Sequence, residues 1–393
     1  MYDFKTVVDR KNTGSLKWNE MYRYNPDLPD GIVPFSYADM EFRNPPELME
    51  GLREWLDTAI LGYAEATDDY YDSIVGYMQR HHNWKIEKDW IHLSPGIVPA
   101  LYDVVKAYTK PGEGVILMRP VYYPFIRAVE VSGRKMVINE LKNVDGRYEI
   151  DFDDLEEKAK DESTKVLLFC SPHNPVGRVW TEEELRKVGD ICLRNNVLII
   201  SDEIHFDFIF PGNKHTVFAT LSEELAQNCI VCTAPSKSFN LGGVMVSNII
   251  IPNGELRQCL YDYCYDNNGQ WTLNTFAFKI GELAYTRCDD WFKALMETLI
   301  ENKKFVEDYI AENIPQIKVT PLEGTYLMWL DCRALEMEPD ELDKFMKEKA
   351  FMFMDGGNMF GNEGNGFERL NIACPKVVLE GALDRLNNAV KSL

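Results

Sequence analysis

The chain has 393 residues, 45% of them hydrophobic and 12% aromatic, which is too long for one growing core and too apolar for a disordered polymer. Lys and Arg total 42 against 63 Asp and Glu, and a formal net charge of −21 would repel a nucleic-acid backbone or an anionic membrane face. A small-molecule partner is therefore expected, and two lobes are expected to bury the apolar content.

The opening MYDFKTVVDRKNTGSLKW carries charges every few residues where a signal peptide would have an apolar core, and no run of about 18 apolar residues follows, so a soluble, cytoplasmic protein is expected. Residues 1–45 hold Gly, Pro and Asn breakers without strand–helix rhythm and read as an arm packing on the other lobe or on a partner subunit. Residues 46–285 read as a large α/β domain. Within it IHLS runs into Pro95-Gly96-Ile97-Val98 and a helix, and short apolar runs then alternate with helical stretches: VILM at 115–118, KVLLFC at 165–170, VLIISDE at 197–203, CIVCT at 229–233 and SNIII at 247–251. Near-continuous apolar strands are buried on both faces, which predicts a mostly parallel sheet flanked by helices.

Thr181-Glu182-Glu183-Glu184 is a capping box and predicts a helix from Thr181 to about Asn195. Beyond 285 the texture changes to a long helix, WFKALMETLIENKKFVEDYIAENI, followed by VTPLEGTYLMWLDC and FERLNIAC, which read as strands of a smaller α+β lobe over 286–393.

Nine cysteines, several in apolar runs, read as reduced core thiols. Cys229 and Cys232 form a CxxC, but no second pair supplies four zinc ligands, and on a strand the two would face opposite ways. His81, His82, His92, His173 and His215 fall at no metal spacing and read as surface, turn or packing residues, so no metal is expected.

In an open α/β sheet ligands gather at the carboxyl ends of strands. There the chain carries Asn174 in SPHNPVG, Asp202 ending VLIISD, Lys237 in APSKSFN and the helix start at Gly96. Singly these are a turn residue, an N-cap, a surface amine and a bend. Together an amide, a carboxylate, an amine and a helix N-terminus suit a ligand with a phosphate, a ring nitrogen and an aldehyde.

With DRKNTGSLKW, ADMEFRNPPEL, GYAE, PVYYPF, CSPHNPVGRVWTEEEL, SDEIHFDF, APSKSFNL, EGTYLMWLD and FERLNIACP in this order, the chain resembles the fold-type I pyridoxal-phosphate enzymes of the class I/II aminotransferase family, and within them the cystathionine β-lyase branch with its cystalysin-like C–S lyases. The resemblance implies a seven-stranded, mostly parallel sheet and a small domain built from both chain ends. It implies Lys237 as the Schiff-base lysine and Asp202 as partner of the protonated pyridine nitrogen. Asn174 would donate to the ring hydroxyl oxygen, and Tyr122 would stack on the ring. The backbone of Gly96, Ile97 and Val98 would hold the phosphate with Ser236, and with Tyr63 reaching in from a second subunit of a homodimer. Arg369 would bind the substrate α-carboxylate and Tyr123 would assist near the substrate amine or departing sulfur.

Two departures separate the chain from ordinary aminotransferases: Met245 stands where those carry a phosphate-clamping Arg eight residues after the lysine, and His205 stands where they carry a Tyr three residues after the aspartate. The resemblance thus implies α,β-elimination on sulfur amino acids, with Lys237 as base, giving a thiol or hydrogen sulfide, pyruvate and ammonia. An aminotransferase on the same cofactor is the first alternative, and a non-catalytic binding or regulatory protein retaining the cofactor is the second. Gly356-Gly357 and GNEGNGF read either as a mobile loop near Arg369 that closes on substrate or as a plain surface loop.

Overall fold

The computed structural model describes residues 2–270 and 272–393. Its strands are β1 (Ile91–Ser94), β2 (Gly114–Arg119), β3 (Lys135–Glu140), the hairpin β4 (Lys142–Val144) and β5 (Arg147–Glu149), β6 (Thr164–Cys170), β7 (Leu198–Asp202), β8 (Cys229–Thr233) and β9 (Ser247–Ile250), then β10 (Lys318–Val319), β11 (Leu327–Asp331), β12 (Asp355–Gly356) and β13 (Phe367–Asn371). Seven of them form one sheet in the order β1-β9-β8-β7-β6-β2-β3. Only β9 runs against its neighbours; the pairs from β8 through β3 are all parallel.

Alternation along each strand feeds two separate cores, one on each face. Ile116, Leu167, Phe169 and Ile199 join one, while Val115, Leu117, Leu168 and Ile200 join the other. Cys229 and Cys232 likewise fall in different cores, as a separation of three along a strand requires. All nine cysteines are free thiols and only Cys259 is exposed. The predicted helix after Thr181 spans Glu182–Arg194 with both halves of its capping box formed.

A second, antiparallel sheet has the order β10-β11-β13-β12, and Asn302 of the helix Asp289–Asn313 donates to the carbonyls of Ile372 and Cys374, just past the end of β13, at 2.9 and 2.8 Å. The stretch read as one strand from Val319 to Cys332 is interrupted, because the backbone N–H groups of Glu323, Gly324 and Thr325 are drawn off to the carbonyls of Gly177 and Phe208. A side chain at Gly324 would come within 2.7 Å of Val179 and 3.0 Å of the Phe208 carbonyl, so this close approach needs glycine.

The N-terminal segment forms the helix Leu16–Tyr24 and then runs extended along the second sheet, with Phe35 N–H donating to Phe353 at 2.8 Å and Glu41 N–H to Ala373 at 2.9 Å. Among the described residues no helix is long and apolar enough to cross a membrane.

Candidate active site

The parallel register places Cys170, Asp202 and Cys232 side by side, so the loops leaving β6, β7 and β8 open on the same rim. On that rim lies a cavity of ≈ 190 Å³ lined by Gly96, Ile97, Val98, Tyr122, Asn174, Asp202, His205, Ser236, Lys237 and Met245 among others. It shares Ala38, Tyr122, Lys237 and Gly242 with a chamber of ≈ 690 Å³ that also holds Tyr123, Asp355, Arg369 and the segment Tyr37–Asn44. Every predicted site residue except Tyr63 therefore lines one of two joined spaces. A larger groove of ≈ 880 Å³ along Lys303, Glu307 and Pro321 contains none of them.

Lys237 lies in the four-residue helix Pro235–Ser238, which follows β8 directly and is held by Ser238 Oγ on the buried Asp207 carboxylate. Its amine donates to the Ala38 carbonyl at 3.3 Å. Burial lowers the amine pKa to about 8; Asp39 and Asp202 oppose the fall while Arg369 and Lys17 add to it. An amine in that range can lose its proton near neutrality, which a nucleophile or base must do.

Asp202, 3% exposed, ends β7 and accepts from Ile204 N–H at 3.1 Å. Burial raises its carboxyl to about 7, against the pull of that N–H and of Lys237. Such a group becomes firmly anionic only beside a further cation, as a protonated ring nitrogen would be. His205 is buried, held neutral by desolvation with Lys237 and Arg369 adding to it, and its Nδ1 has no partner among the described residues.

Gly96 is the N-cap of the helix Ile97–Tyr108 and has φ +123°, a conformation that side chains rarely adopt. The first N–H groups of a helix lack intrahelical acceptors, and Gly96, Ile97 and Val98 at this helix start line the cavity, which suits an anion. Tyr122 N–H donates to the Asn174 carbonyl at 3.1 Å, locking two predicted ring contacts together. Burial pushes the Tyr122 and Tyr123 hydroxyls above the usual phenol range, and their rings meet edge to face at 5.1 Å.

Arg369, 2% exposed, sits on β13 opposite Asp355 on β12. It donates to Asp355 and, at 2.9 Å, to Asn174 Oδ1, and its Nε is buried without a partner among the described residues. A buried guanidinium with an unfilled donor beside the chamber fits an incoming carboxylate. Tyr63 is 95% exposed and lines neither space of its own chain.

The glycine-rich stretch near Arg369 is largely packed against the site in this structure. Gly356, Gly357, Phe360, Gly361 and Gly364 are buried, and a Cβ at Gly357 would lie 2.0 Å from the Gly364 carbonyl. Val121 N–H donates to Phe360 at 3.0 Å, Arg119 pairs with Glu363 at 2.7 Å, and the Phe360 ring lies 4.8 Å from the Arg369 guanidinium. The small glycines serve close packing, and the stretch braces Arg369.

Sequence reasoning assigned no role to Ala38, whose carbonyl also takes the Tyr326 hydroxyl at 2.5 Å, or to Asp355, while His82 and His215, read as surface, turn or packing residues, lie outside both spaces and pair with Asp207 and Glu203, both at 2.8 Å. Tyr37 holds a left-handed φ of +59°, fixed by its N–H on Asp355 at 2.9 Å and its carbonyl on Asn371 Nδ2 at 3.0 Å. The strings DRKNTGSLKW and ADMEFRNPPEL were visible signals for this segment, without roles attached to them.

A doubly flanked sheet with an amine, a carboxylate, an amide and a helix N-terminus converging on one rim defines a fold-type I pyridoxal-phosphate protein, and the orphaned Arg369 Nε and low-pKa Lys237 fit that cofactor and an amino acid beside it. The chain belongs to the class I and II aminotransferase family, whose model matches residues 41–386. It is similar to cystathionine beta-lyase PatB of Bacillus subtilis, 38% identical over 99% of this chain and 100% of that protein, and to protein MalY of Escherichia coli, 29% identical over the whole of both. Among solved structures it resembles cystalysin from Treponema denticola, which contains a pyridoxal 5'-phosphate cofactor, with a TM-score of 0.98 and 46% identity over 100% of this chain and 99% of that one.

Proposed function

We propose that this protein is a pyridoxal-phosphate-dependent carbon–sulfur β-lyase that eliminates a thiol or hydrogen sulfide from cystathionine, cysteine or a related S-substituted cysteine, leaving pyruvate and ammonia. The observation that carries the reading is the joining of the Lys237–Asp202 cavity to the chamber holding Arg369 and Tyr123.

The cofactor, when bound, supplies an electron sink for charge developing at the substrate Cα. Gly96, Ile97, Val98 and Ser236 would hold its phosphate, Asp202 its ring nitrogen, Asn174 its ring hydroxyl and Tyr122 its face. Arg369 binds the substrate carboxylate, and its contacts with Asp355 and Asn174 fix the guanidinium plane and so the direction of the Cα–H bond. Lys237 takes the proton from Cα, for which an amine titrating at about 8 is well matched to neutral pH. Tyr123, which shares the chamber with Arg369 and Asp355, would donate its hydroxyl proton toward a departing sulfur.

Elimination is favoured over transamination by Met245, which lines the cavity with φ +62° in place of a phosphate-clamping cation, and by the buried neutral His205. Relatives named cystathionine beta-lyase over the full chain support the same choice. We extend the reading to a homodimer in which the exposed Tyr63 reaches the partner's phosphate site, and to the cytoplasm, where nine free cysteines are at home. Incubated with cystathionine or cysteine and no keto acid, the purified enzyme should release pyruvate and free thiol; strict dependence on an added keto acid would make it a transaminase.

A further inference from the structure

Next to Lys237 lies a charge cluster that neither the elimination chemistry nor cofactor binding calls for. Lys17, 2% exposed, donates to the Asp39 carbonyl and pairs with Glu41, both at 2.8 Å, and lies 3.5 Å from the Asp39 carboxylate. Arg10 pairs with Asp39 at 2.9 Å and Glu41 at 2.8 Å, and Trp18 Nε1 donates to the other Glu41 oxygen at 3.0 Å. Two cations thus balance two carboxylates, with Lys17 and Glu41 almost wholly out of water.

The backbone that carries Asp39 and Glu41 is the one that meets Lys237. Ala38 presents its carbonyl to the Lys237 amine. Asn371 Nδ2 donates to the carbonyls of Tyr37 and Asp39, the residues before and after Ala38, at 3.0 and 2.9 Å. Asn240, three residues after Lys237, clasps Met40 N–H, Met40 C=O and Phe42 C=O farther along, at 2.9 to 3.2 Å. Burying an ammonium and a carboxylate this way is weak evidence for a purely stabilising role, since apolar replacements of buried pairs are often neutral.

We propose that Arg10, Lys17, Asp39 and Glu41 act as one charge-balanced unit that holds the Ala38 carbonyl against Lys237 and sets how readily the Lys237 nitrogen takes a proton, with Lys17 and Asp39 as positioning residues of opposite sign. The other titratable groups around Lys237 are Asp202 and His205 at and beyond the end of β7, Tyr122 and Tyr123 after β2, Asp355 on β12, Arg369 on β13 and the Tyr326 hydroxyl that shares the Ala38 carbonyl. Removing Lys17 leaves the unit net negative and favours the proton on Lys237; removing Asp39 leaves it net positive and disfavours it. Damage to the fold would not produce two shifts of opposite direction.

The role of Lys237 as base is taken from the lyase reading, but the test does not depend on which reaction follows. The holoenzyme is titrated with pH while the visible absorbance of its bound cofactor, which reports protonation of the nitrogen joined to it, is followed. Lys17→Met should raise the midpoint and Asp39→Asn should lower it, each by about half a pH unit or more, as a unit charge at short range in a partly buried site would do. Lys17→Arg should restore the wild-type midpoint, and the acid limb of kcat/KM should move with the absorbance. Unmoved midpoints, or both moving the same way, would overturn the proposal. If Lys17→Met does not fold, Asp39→Asn, whose position is 32% exposed, decides by a lowered midpoint at an unchanged melting temperature, and an unmoved or raised midpoint overturns the proposal. Failure to release pyruvate in the wild type, with the opposed shifts intact, would sink the lyase reading and leave this one standing.

Discussion

Arg369 and Asp355 face each other on adjacent strands and are bonded to one another in a nearly solvent-free site, while the same guanidinium reaches Asn174, just beyond β6 of the seven-stranded sheet, at 2.9 Å. The group proposed for the substrate carboxylate is thereby tied to the group proposed for the cofactor hydroxyl. Arg369→Lys keeps the charge and loses the planar fork, leaving Asp355 and Asn174 only partly satisfied. We expect kcat/KM to fall by about 30- to 1,000-fold, on the order of 2–4 kcal/mol, mainly through KM. Steady-state kinetics on a sulfur amino acid checks this; an unchanged KM would remove Arg369 from the carboxylate site.

Asp202 gives a pH signature in protein stripped of cofactor. Its carboxyl is raised to about 7 by burial, so between the ordinary carboxylate pKa and 7 the folded chain binds more protons than the unfolded one. Stability contributed by this group should therefore decline as pH rises through that window and be lost above it. Melting temperatures of the stripped protein from pH 5 to 8 should show the decline, and Asp202→Asn should flatten it. A slope unaffected by the substitution would contradict the burial of this group.

Asp207 runs the other way. It accepts from His82 at 2.8 Å, Tyr77 at 2.9 Å and Ser238, and these contacts hold its carboxyl below the usual range despite burial. Its stabilisation is present above the unfolded carboxylate pKa and fades as pH falls through the lower folded value. Asp207→Ala strands three buried donors beside the Lys237 helix and should cost about 3–5 kcal/mol at neutral pH. Denaturant titration measures it; a loss below about 1 kcal/mol would mean water replaces the carboxylate without penalty.

Tyr63 offers a test of the homodimer. Lys237→Ala and Tyr63→Ala chains, each poorly active alone, should complement when refolded together, because one site of the mixed dimer then has an intact lysine and an intact tyrosine from its neighbour. Random pairing predicts recovery to about a quarter of wild-type activity. No recovery at all would put Tyr63 outside the partner's site.

The seven-stranded sheet was legible in the chain because its strands are apolar on both faces and the helices between them are capped locally, as the complete capping box at Thr181–Glu184 illustrates. Lys237, Asp202, Asn174 and Gly96 were legible for a related reason, since each follows a recognisable strand and a parallel sheet brings such ends to one rim. The segment around Ala38 was not, because its partners Lys237, Asn240, Tyr326 and Asn371 lie some 200 to 330 residues away and no local periodicity marks a backbone carbonyl as a contact. The same holds for Gly356–Gly364, whose glycines suggest flexibility when read singly and tight packing when their neighbours are known.

What the sequence determined by itself was the fold class, the identity of the chemical groups and their order along strand ends, because binary pattern and capping act over a few residues. Tertiary structure alone decided which of those groups share a solvent-poor space, which carbonyl meets the lysine and which carboxylates change their proton affinity. Desolvation and Coulomb interaction depend on separation in space, and separation along a chain does not report it.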